Sequence, residues 1–314
     1  MSEILAVAPL AIAYVVIGVG DMQEALDLWV NRFGMEVIAR REGADADLAR
    51  AWGLPADGIV DQALLLTPGV TEGGIHLVRF SSPGASVREG AAPTALLPKS
   101  VDVAVHDIEA RQAELAAAGY RFRSKIGVLE TDKHEKVFEV HMTGHDDINV
   151  VLVEQPAQRE TVSEKGYGVA PLVVTVSPDN KREAAFLQRL LGLEELMHNR
   201  FGGPSVEKTI GLPPGASLDV RILGDAQRAF GRIELVQYEG VASEDRYARA
   251  RAPSRGQLSV TYFIDDLAGW LGRPAANGVT DLGQGAGIYG AGRMATVTTP
   301  AGLRIDVVER IHRR

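Results

Sequence analysis

The chain has 314 residues, of which 46% are hydrophobic and 24% charged, with a formal net charge of -8 and no cysteine. This composition is typical of a soluble globular protein with room for two domains, and it excludes disulfides and cysteine-bound metals. The acidic balance, without basic stripes interleaved with aromatic residues, argues against nucleic-acid binding. The apolar N-terminus is broken by Pro9 and Gly18, which predicts a first strand of a cytoplasmic protein rather than a membrane span.

The two halves of the chain resemble each other. A shift of 158 residues aligns "GGIHLVRF" (73–80) with "GRIELVQY" (231–238), and a shift of 159 aligns "SVDVAVHD" (100–107) with "SVTYFIDD" (259–266). Self-similarity at a fixed spacing indicates repeated structural units. The sequence therefore predicts four modules, two in each half.

Each module begins with an alternating strand, passes through a turn that contains Asp, and continues into a helix and further strands, the order βαβββ. Asp107 and Asp266 lie where helix N-caps belong. We predict two domains, 1–153 and 169–314, joined by a polar linker at 154–168. Consecutive modules are expected to pair within each half, with pairing across the halves as the alternative. The module boundaries are expected at about 8–84, 98–153, 169–240 and 256–310.

The modules, with helices that end in "FGMEV" (33–37) and "LGLEEL" (191–196), resemble the vicinal oxygen chelate superfamily of glyoxalases, bleomycin-resistance proteins and extradiol dioxygenases. The resemblance covers nearly the whole chain. It implies an α+β fold in which four βαβββ modules pair into two cup-shaped mixed sheets with helices outside. It also implies a small-molecule ligand inside a cup, and a divalent metal held by residues of the first and last strands.

The resemblance locates the positions at which family members carry metal ligands. The first-strand positions hold Tyr14, Ser100, Pro171 and Ser259, and the last-strand positions hold His76, Val151, Glu234 and Asp306. Neither half has a complete set of good ligands. The cofactor is therefore predicted to be either absent or a single divalent metal, and an unconventional ligand set would be His76, His141 and Glu139.

Strand alternation, with the apolar set facing the helices, predicts which side chains lie inside each cup. The first cup is expected to contain Tyr14, His76, Ser100, Asp102, Glu139, His141 and Asn149. The second is expected to contain Asp219, Arg221, Glu234, Tyr238, Ser259, Thr261, Arg304 and Asp306. Five of the seven histidines, His134 among them, lie between residues 76 and 145. Histidine exchanges protons near neutral pH, so we expect the functional site in the first half.

The segment "GAGIYG" (285–290) matches the dinucleotide fingerprint G-x-G-x-x-G. That fingerprint needs a strand before it and a helix after it. Neither is predicted here. The glycines are instead expected to form a flexible loop at the mouth of a cup.

These observations predict a small-molecule enzyme with an atypical metal site and proton-transfer chemistry, an isomerisation or lyase step on an oxygenated substrate. His76 or His141 is the candidate base and Tyr14 the hydrogen-bond donor. The alternatives are a non-catalytic binding or resistance protein, and a metal-dependent glyoxalase or ring-cleaving dioxygenase with unconventional ligands. The protein is expected to be a monomer or homodimer. Candidate substrate-binding residues are Ser100, Asp102, Glu139 and Asn149.

Overall fold

The computed structural model describes residues 9–130, 135–155 and 162–310. The first module comprises β1 (Ile12–Val19), α1 (Met22–Leu26) with a π-helical continuation (Asp27–Arg32), β2 (Glu36–Glu42), α2 (Ala46–Ala51), β3 (Ile59–Leu66) and β4 (Gly74–Phe80). The second module comprises β5 (Pro98–Val105), α3 (Ile108–Ala117), β6 (Arg121–Phe122), β7 (Gly127–Glu130), β8 (Lys136–Thr143), a 3₁₀ turn (His145–Asp147) and β9 (Asn149–Glu154).

The second half of the chain repeats this order. The third module comprises β10 (Tyr167–Val176), α4 (Asn180–Leu191), β11 (Glu194–Gly202), α5 (Pro204–Ile210), β12 (Ser217–Gly224) and β13 (Arg232–Glu239). A 3₁₀ turn (Tyr247–Arg249) leads to the fourth module, which comprises β14 (Gly256–Ile264), α6 (Leu267–Leu271), a 3₁₀ turn (Pro274–Ala276), β15 (Thr280–Gln284), a 3₁₀ turn (Gly287–Tyr289), β16 (Arg293–Thr298) and β17 (Arg304–Glu309). No helix within the described residues is long and apolar enough to cross a membrane.

The strands form two mixed sheets, and each sheet takes one module from each half of the chain. The eight-stranded sheet has the order β15-β16-β17-β14-β1-β4-β3-β2, and the nine-stranded sheet has the order β11-β12-β13-β10-β5-β9-β8-β6, with β7 also paired to β8. The predicted α+β fold with two mixed sheets is confirmed. The expected pairing of consecutive modules is corrected, because the first module pairs with the fourth and the second with the third.

The joints between modules explain this outcome. In each sheet the two modules are joined by an antiparallel pair of their first strands, β1 with β14 and β5 with β10. Both β1 and β5 are buried along their whole length. Because the four first strands carry similar apolar sequences, the strand pattern by itself does not specify which of them become neighbours.

The predicted helix N-caps are confirmed. The Asp107 carboxylate accepts a hydrogen bond from the Ala110 N–H at 3.1 Å, and the Asp266 carboxylate accepts one from the Gly269 N–H at 2.9 Å. The helix-facing sides of all four first strands contribute to one apolar cluster, which also takes in Trp29 after α1. The two sheets therefore share a core on their helix-facing sides, and each keeps an inner face of its own.

A β-bulge recurs in each sheet at the strand pair that joins its two modules. In β5, Ser100 pairs with Val174 and Pro98 with Thr175, so Lys99 is an extra residue in the ladder. In β14, Ser259 and Gln257 pair with successive residues of β1, which makes Leu258 the equivalent extra residue. A bulge re-aims the side chain of the extra residue, so simple alternation does not hold at these two positions.

Candidate functional site

The inner face of the eight-stranded sheet is covered by side chains of the same sheet's modules. Trp52, which follows α2, donates from its indole Nε1 to the Asp306 carboxylate at 3.1 Å. The 3₁₀ turn of the "GAGIYG" segment brings Tyr289 against Tyr14, with the ring centroids 5.9 Å apart. The small cavity beside Trp52 measures about 10 Å³. The glycine-rich segment therefore fills this cup instead of forming an open loop at its mouth.

His76 is enclosed in this filled cup. Its Nδ1 lies 2.6 Å from the Tyr289 hydroxyl and its Nε2 lies 3.0 Å from the Gln62 Oε1. Burial lowers the pKa of His76 to about 3, so the ring is neutral at physiological pH. Burial also raises the pKa of Tyr14 to about 12. With both ring nitrogens bonded, His76 contributes to packing and hydrogen bonding inside the cup.

The lowered pKa of His76 predicts an acid-dependent loss of stability. The unfolded chain binds a proton near the ordinary histidine pKa of about 6.5 and the folded chain does not, so stability falls as the pH drops below that value. We expect the free energy of unfolding to fall by about 2 kcal/mol more between pH 7 and pH 5 in the wild type than in His76→Gln. Urea denaturation at both pH values measures this, and equal losses in the two proteins would contradict it.

The inner face of the nine-stranded sheet, in contrast, encloses a cavity of about 150 Å³. This volume matches an engineered protein cavity that takes up benzene. Most of its wall is apolar and comes from β10, β11, β12, α5 and neighbouring strands; these residues are Leu129, Val137, Val151, Val153, Leu172, Val174, Met197, Phe201, Val206, Ile210, Leu218, Val220, Ile222 and Val236. The nine-stranded sheet therefore offers the room for a small ligand that the eight-stranded sheet lacks.

One residue exchange shows why the two cups differ. Ile210 is equivalent to Trp52 through the 158-residue repeat, and it lines the cavity of the nine-stranded sheet. A smaller side chain at this position leaves space where the indole ring fills the other cup. Likewise Glu234, which also lines the cavity, is equivalent to His76.

A set of polar side chains interrupts the apolar wall of the cavity. Strand register brings them to one region: Glu234 and Ser100 each pair with Val174, and His141 and Asp102 each pair with Val151. The Ser100 hydroxyl donates to the Asp102 carboxylate at 3.3 Å. The polar residues that line the cavity are Lys99, Ser100, Asp102, Glu139, His141, Gln155, Glu234 and Tyr238.

The buried groups of this set have strongly shifted pKa values. Burial lowers the pKa of Lys99 to about 7, and the positive charge of Arg88 acts in the same direction. Burial raises the pKa of Glu234 to about 8, and the charge of Glu139 adds to the rise. Burial, with the charges of Glu234 and Glu139, holds the pKa of Asp102 well above its usual value. Shifted pKa values in a cavity are a mark of functional sites.

The candidate residues from the sequence are thus divided between the two sheets. Ser100, Asp102, Glu139 and His141 line the cavity together with Glu234, which was expected in the other cup. Asn149 is not among the lining residues but contacts one of them, since its Nδ2 lies 3.2 Å from the His141 Nδ1. His134 lies outside the described residues. The candidates in the filled cup are His76, Tyr14, Ser259, Arg304 and Asp306, so the expected combination of His76, Tyr14 and His141 is not assembled.

Alternation gave the wrong face for part of the second cup. Leu218, Val220 and Ile222 line the cavity, so Asp219 and Arg221 lie on the opposite side of β12. There the Asp219 carboxylate accepts a hydrogen bond from Asn180 of α4 at 3.0 Å. The rule that apolar residues face the helices fails here because the cavity wall is itself apolar, so the apolar residues of β12 face the cavity.

Lys99 is the residue that the sequence analysis missed. Alternation from Ser100 and Asp102 assigns it to the helix-facing side of β5. The bulge at Lys99 turns it into the cavity instead. A lysine at the start of an otherwise apolar strand, "KSVDVAV" (99–105), is the signal that could have drawn attention to it.

Comparison with known proteins supports the fold on which this site is built. The family model described as the Glyoxalase/Bleomycin resistance protein/Dioxygenase superfamily matches residues 11–139. Residues 11–139 are therefore similar in sequence to this superfamily. No curated protein matches the sequence. Glyoxalase I from Zea mays superposes with a TM-score of 0.64 at 15% identity over 95% of this chain and 92% of that chain. A putative dioxygenase from Bacillus subtilis gives a TM-score of 0.59 at 12% identity, covering 97% and 86% of the two chains.

The usual divalent metal of the glyoxalase/dioxygenase superfamily does not fit the side chains present here. In the nine-stranded sheet, register makes Leu172 and not Pro171 the equivalent of Tyr14, so Glu234 is the one carboxylate at a family ligand position. In the filled cup the Asp306 carboxylate is held by Trp52 and Arg304. The described residues contain no group of three His, Asp or Glu side chains placed to hold a metal ion.

The alternative ligand set is also not assembled. Glu139 and His141 are neighbours, with the His141 Nε2 3.5 Å from the Glu139 Oε1. Their expected third member, His76, belongs to the other sheet. His76, His141 and Glu139 therefore do not form a metal site in this fold.

Proposed function

We propose that the chain is a small-molecule enzyme that transfers protons to and from an oxygenated ligand held in the cavity of the nine-stranded sheet. The observation that carries this proposal is the cluster of buried Lys99 and Asp102 with half-buried Glu234 among the apolar residues that line the cavity. Burial brings the pKa values of Lys99 and Glu234 close to neutral, where a group can both take up and release a proton. An isomerisation or lyase step needs such groups beside the reacting carbon.

Two carboxyl groups carry the chemistry in this proposal. Glu234 exchanges the proton with the ligand, and Asp102, with its raised pKa, donates a hydrogen bond to a ligand oxygen. His141 lies against Glu139 at 3.5 Å and is oriented by Asn149. The apolar wall holds the carbon skeleton and excludes water, which strengthens the electrostatic interactions inside.

A second candidate function is supported by the same wall. Apolar side chains cover most of the cavity, as expected of a protein that sequesters an apolar or aromatic compound without turning it over. The volume of about 150 Å³ favours a single ring over a polycyclic ligand. A cytoplasmic location and a monomeric or homodimeric state stay predictions.

The test is proton exchange in deuterated buffer. Hydroxyacetone and cyclohexanone, small ketones with acidic C–H bonds, are incubated with the protein, and NMR follows loss of the C–H signals. We expect Val174→Phe, which places a ring in the cavity, to lower the exchange rate about tenfold or more. Val128→Phe adds the same atoms at an exposed site on β7 and is expected to leave the rate unchanged.

The outcomes separate the two candidate functions. If the wild type and Val128→Phe exchange protons faster than Val174→Phe, the proposed enzymatic function is supported. The other outcome is that the wild type exchanges no faster than Val174→Phe, while NMR detects ligand binding in the wild type alone. That outcome would overturn the proposed enzymatic function and support the binding protein.

A further inference from the structure

Lys99 has surroundings that suit a nucleophilic amine. Its Nζ donates to the Pro93 carbonyl at 3.0 Å and contacts the Tyr238 hydroxyl, and it lies 4.6 Å from the centre of the Tyr238 ring. Both hydrogen-bond partners are uncharged. Among the described residues no carboxylate forms an ion pair with Lys99. The charges of Glu139, Glu234 and Asp102 raise the pKa of Lys99, but burial lowers it by more, so this environment favours the neutral amine more than water does.

The equivalent residue of the other cup shows that the lysine is not needed for the fold. The bulge recurs in β14 with Leu258 as its extra residue, and Leu258 packs in the apolar cluster around Trp52. A leucine therefore satisfies the same backbone geometry. Lys99 is a feature of the cup that contains a cavity, and its side chain lines that cavity.

We propose that Lys99 forms a Schiff base with a small aldehyde or ketone bound in the cavity. The inference rests on the proposed function and names its substrate class as carbonyl compounds. Desolvated lysines in apolar pockets are activated for this reaction. The lowered pKa of Lys99 supports it, because a substantial fraction of the amine is neutral near pH 7.

The covalent step balances without an oxidant or reductant. The lone pair of the neutral Lys99 amine forms a bond to the carbonyl carbon, and the π electrons of the C=O bond move to oxygen, which takes up a proton from the Asp102 carboxyl. The carbinolamine nitrogen then loses a proton to a carboxylate, and the hydroxyl leaves as water after accepting a proton from the Glu234 carboxyl. The nitrogen lone pair expels the water, so the products are one protonated imine (iminium), the Glu234 carboxylate and one water molecule.

The imine would promote the proposed proton transfer. When its nitrogen is protonated, the iminium draws electrons from the adjacent C–H bond, and that proton becomes easier to remove. The Glu234 carboxylate would take the proton and leave an enamine. Return of the proton to carbon regenerates the iminium, and its hydrolysis by one water molecule then releases the carbonyl product and restores the free amine.

Reductive trapping tests the inference. The full-length protein is incubated at pH 7 with cyclohexanone and sodium cyanoborohydride, which reduces an iminium to a stable secondary amine. Peptide mass spectrometry is expected to find the added cyclohexyl group on Lys99 at least about tenfold more often than on any other lysine. Lys99→Leu, which copies Leu258, is expected to lose this adduct, whereas Lys208→Leu, at an exposed position of α5, is expected to keep it.

The outcomes distinguish this inference from the proposed function. If no adduct forms on Lys99 but Val174→Phe still blocks ketone exchange, the Schiff base is overturned and the proton-transfer function stands. An adduct on Lys99 without catalysed exchange would support the Schiff base and overturn proton transfer. If Lys99→Leu does not fold, Val174→Phe takes its place, because closing the cavity is expected to lower trapping on Lys99 about tenfold.

Discussion

Replacing Glu234 with glutamine is expected to slow ketone proton exchange by about 10²–10⁴-fold, the usual contribution of a positioned acid or base. Glutamine keeps the size and hydrogen-bonding shape of the side chain but cannot take up or release the proton. Glu234 is half-buried at the inner face of the nine-stranded sheet, where its pKa rises to about 8. The effect should therefore fall on kcat rather than on KM, and NMR-monitored exchange at several ketone concentrations measures both.

Two further variants define the role of this carboxyl group. Glu194→Gln changes a glutamate exposed on β11 of the same module and is expected to leave kcat unchanged. Glu234→Asp keeps an ionisable group one methylene further from the ligand and is expected to recover part of the lost activity. A Glu234→Gln protein with wild-type kcat would show that this carboxyl group is not the proton carrier.

Replacing Trp52 with alanine is expected to lower the free energy of unfolding by about 3–5 kcal/mol, which is typical of a large buried aromatic side chain. Trp52 packs against His76 and Phe80, and its indole donates a hydrogen bond to Asp306. Removing it opens a hole in the filled cup and leaves a buried carboxylate with one partner fewer. Urea denaturation followed by circular dichroism measures the loss.

The matched control is Ile210→Ala, at the equivalent position of the other cup. Ile210 already borders a cavity, so its removal deletes fewer contacts, and we expect a loss of about 1–2 kcal/mol. Ketone binding should show the opposite order, because Ile210 lines the ligand cavity and Trp52 does not. Equal losses of stability would contradict the distinction between a filled cup and an open one.

Most of the fold could be predicted from the internal repeat. The shift that aligns His76 with Glu234 also aligns strands and helices, so the four modules followed from it, and the family resemblance implied the two mixed sheets. The pairing of the modules could not be predicted. β1 and β5 are both apolar and fully buried, and a strand with two apolar faces does not encode which neighbour it receives.

The candidate site was predicted in part. Alternation located Ser100, Asp102, Glu139 and His141 correctly on one inner face, since those strands are regular there. It failed for Lys99, because one extra residue in β5 reverses the direction of the side chain. Strand alternation also does not predict that Trp52 and Tyr289, which lie outside the strands and far from each other in sequence, enclose His76.

The crossed pairing of modules has a consequence for the order in which the chain is made. When residues 9–155 have been synthesised, β1 and β5 each lack the partner strand that the second half supplies. Both strands then expose an unpaired apolar edge, which is a template for association with other chains. Neither sheet can be completed until β10 and β14 have emerged, so the nascent protein depends on rapid arrival of its second half or on protection of those two edges.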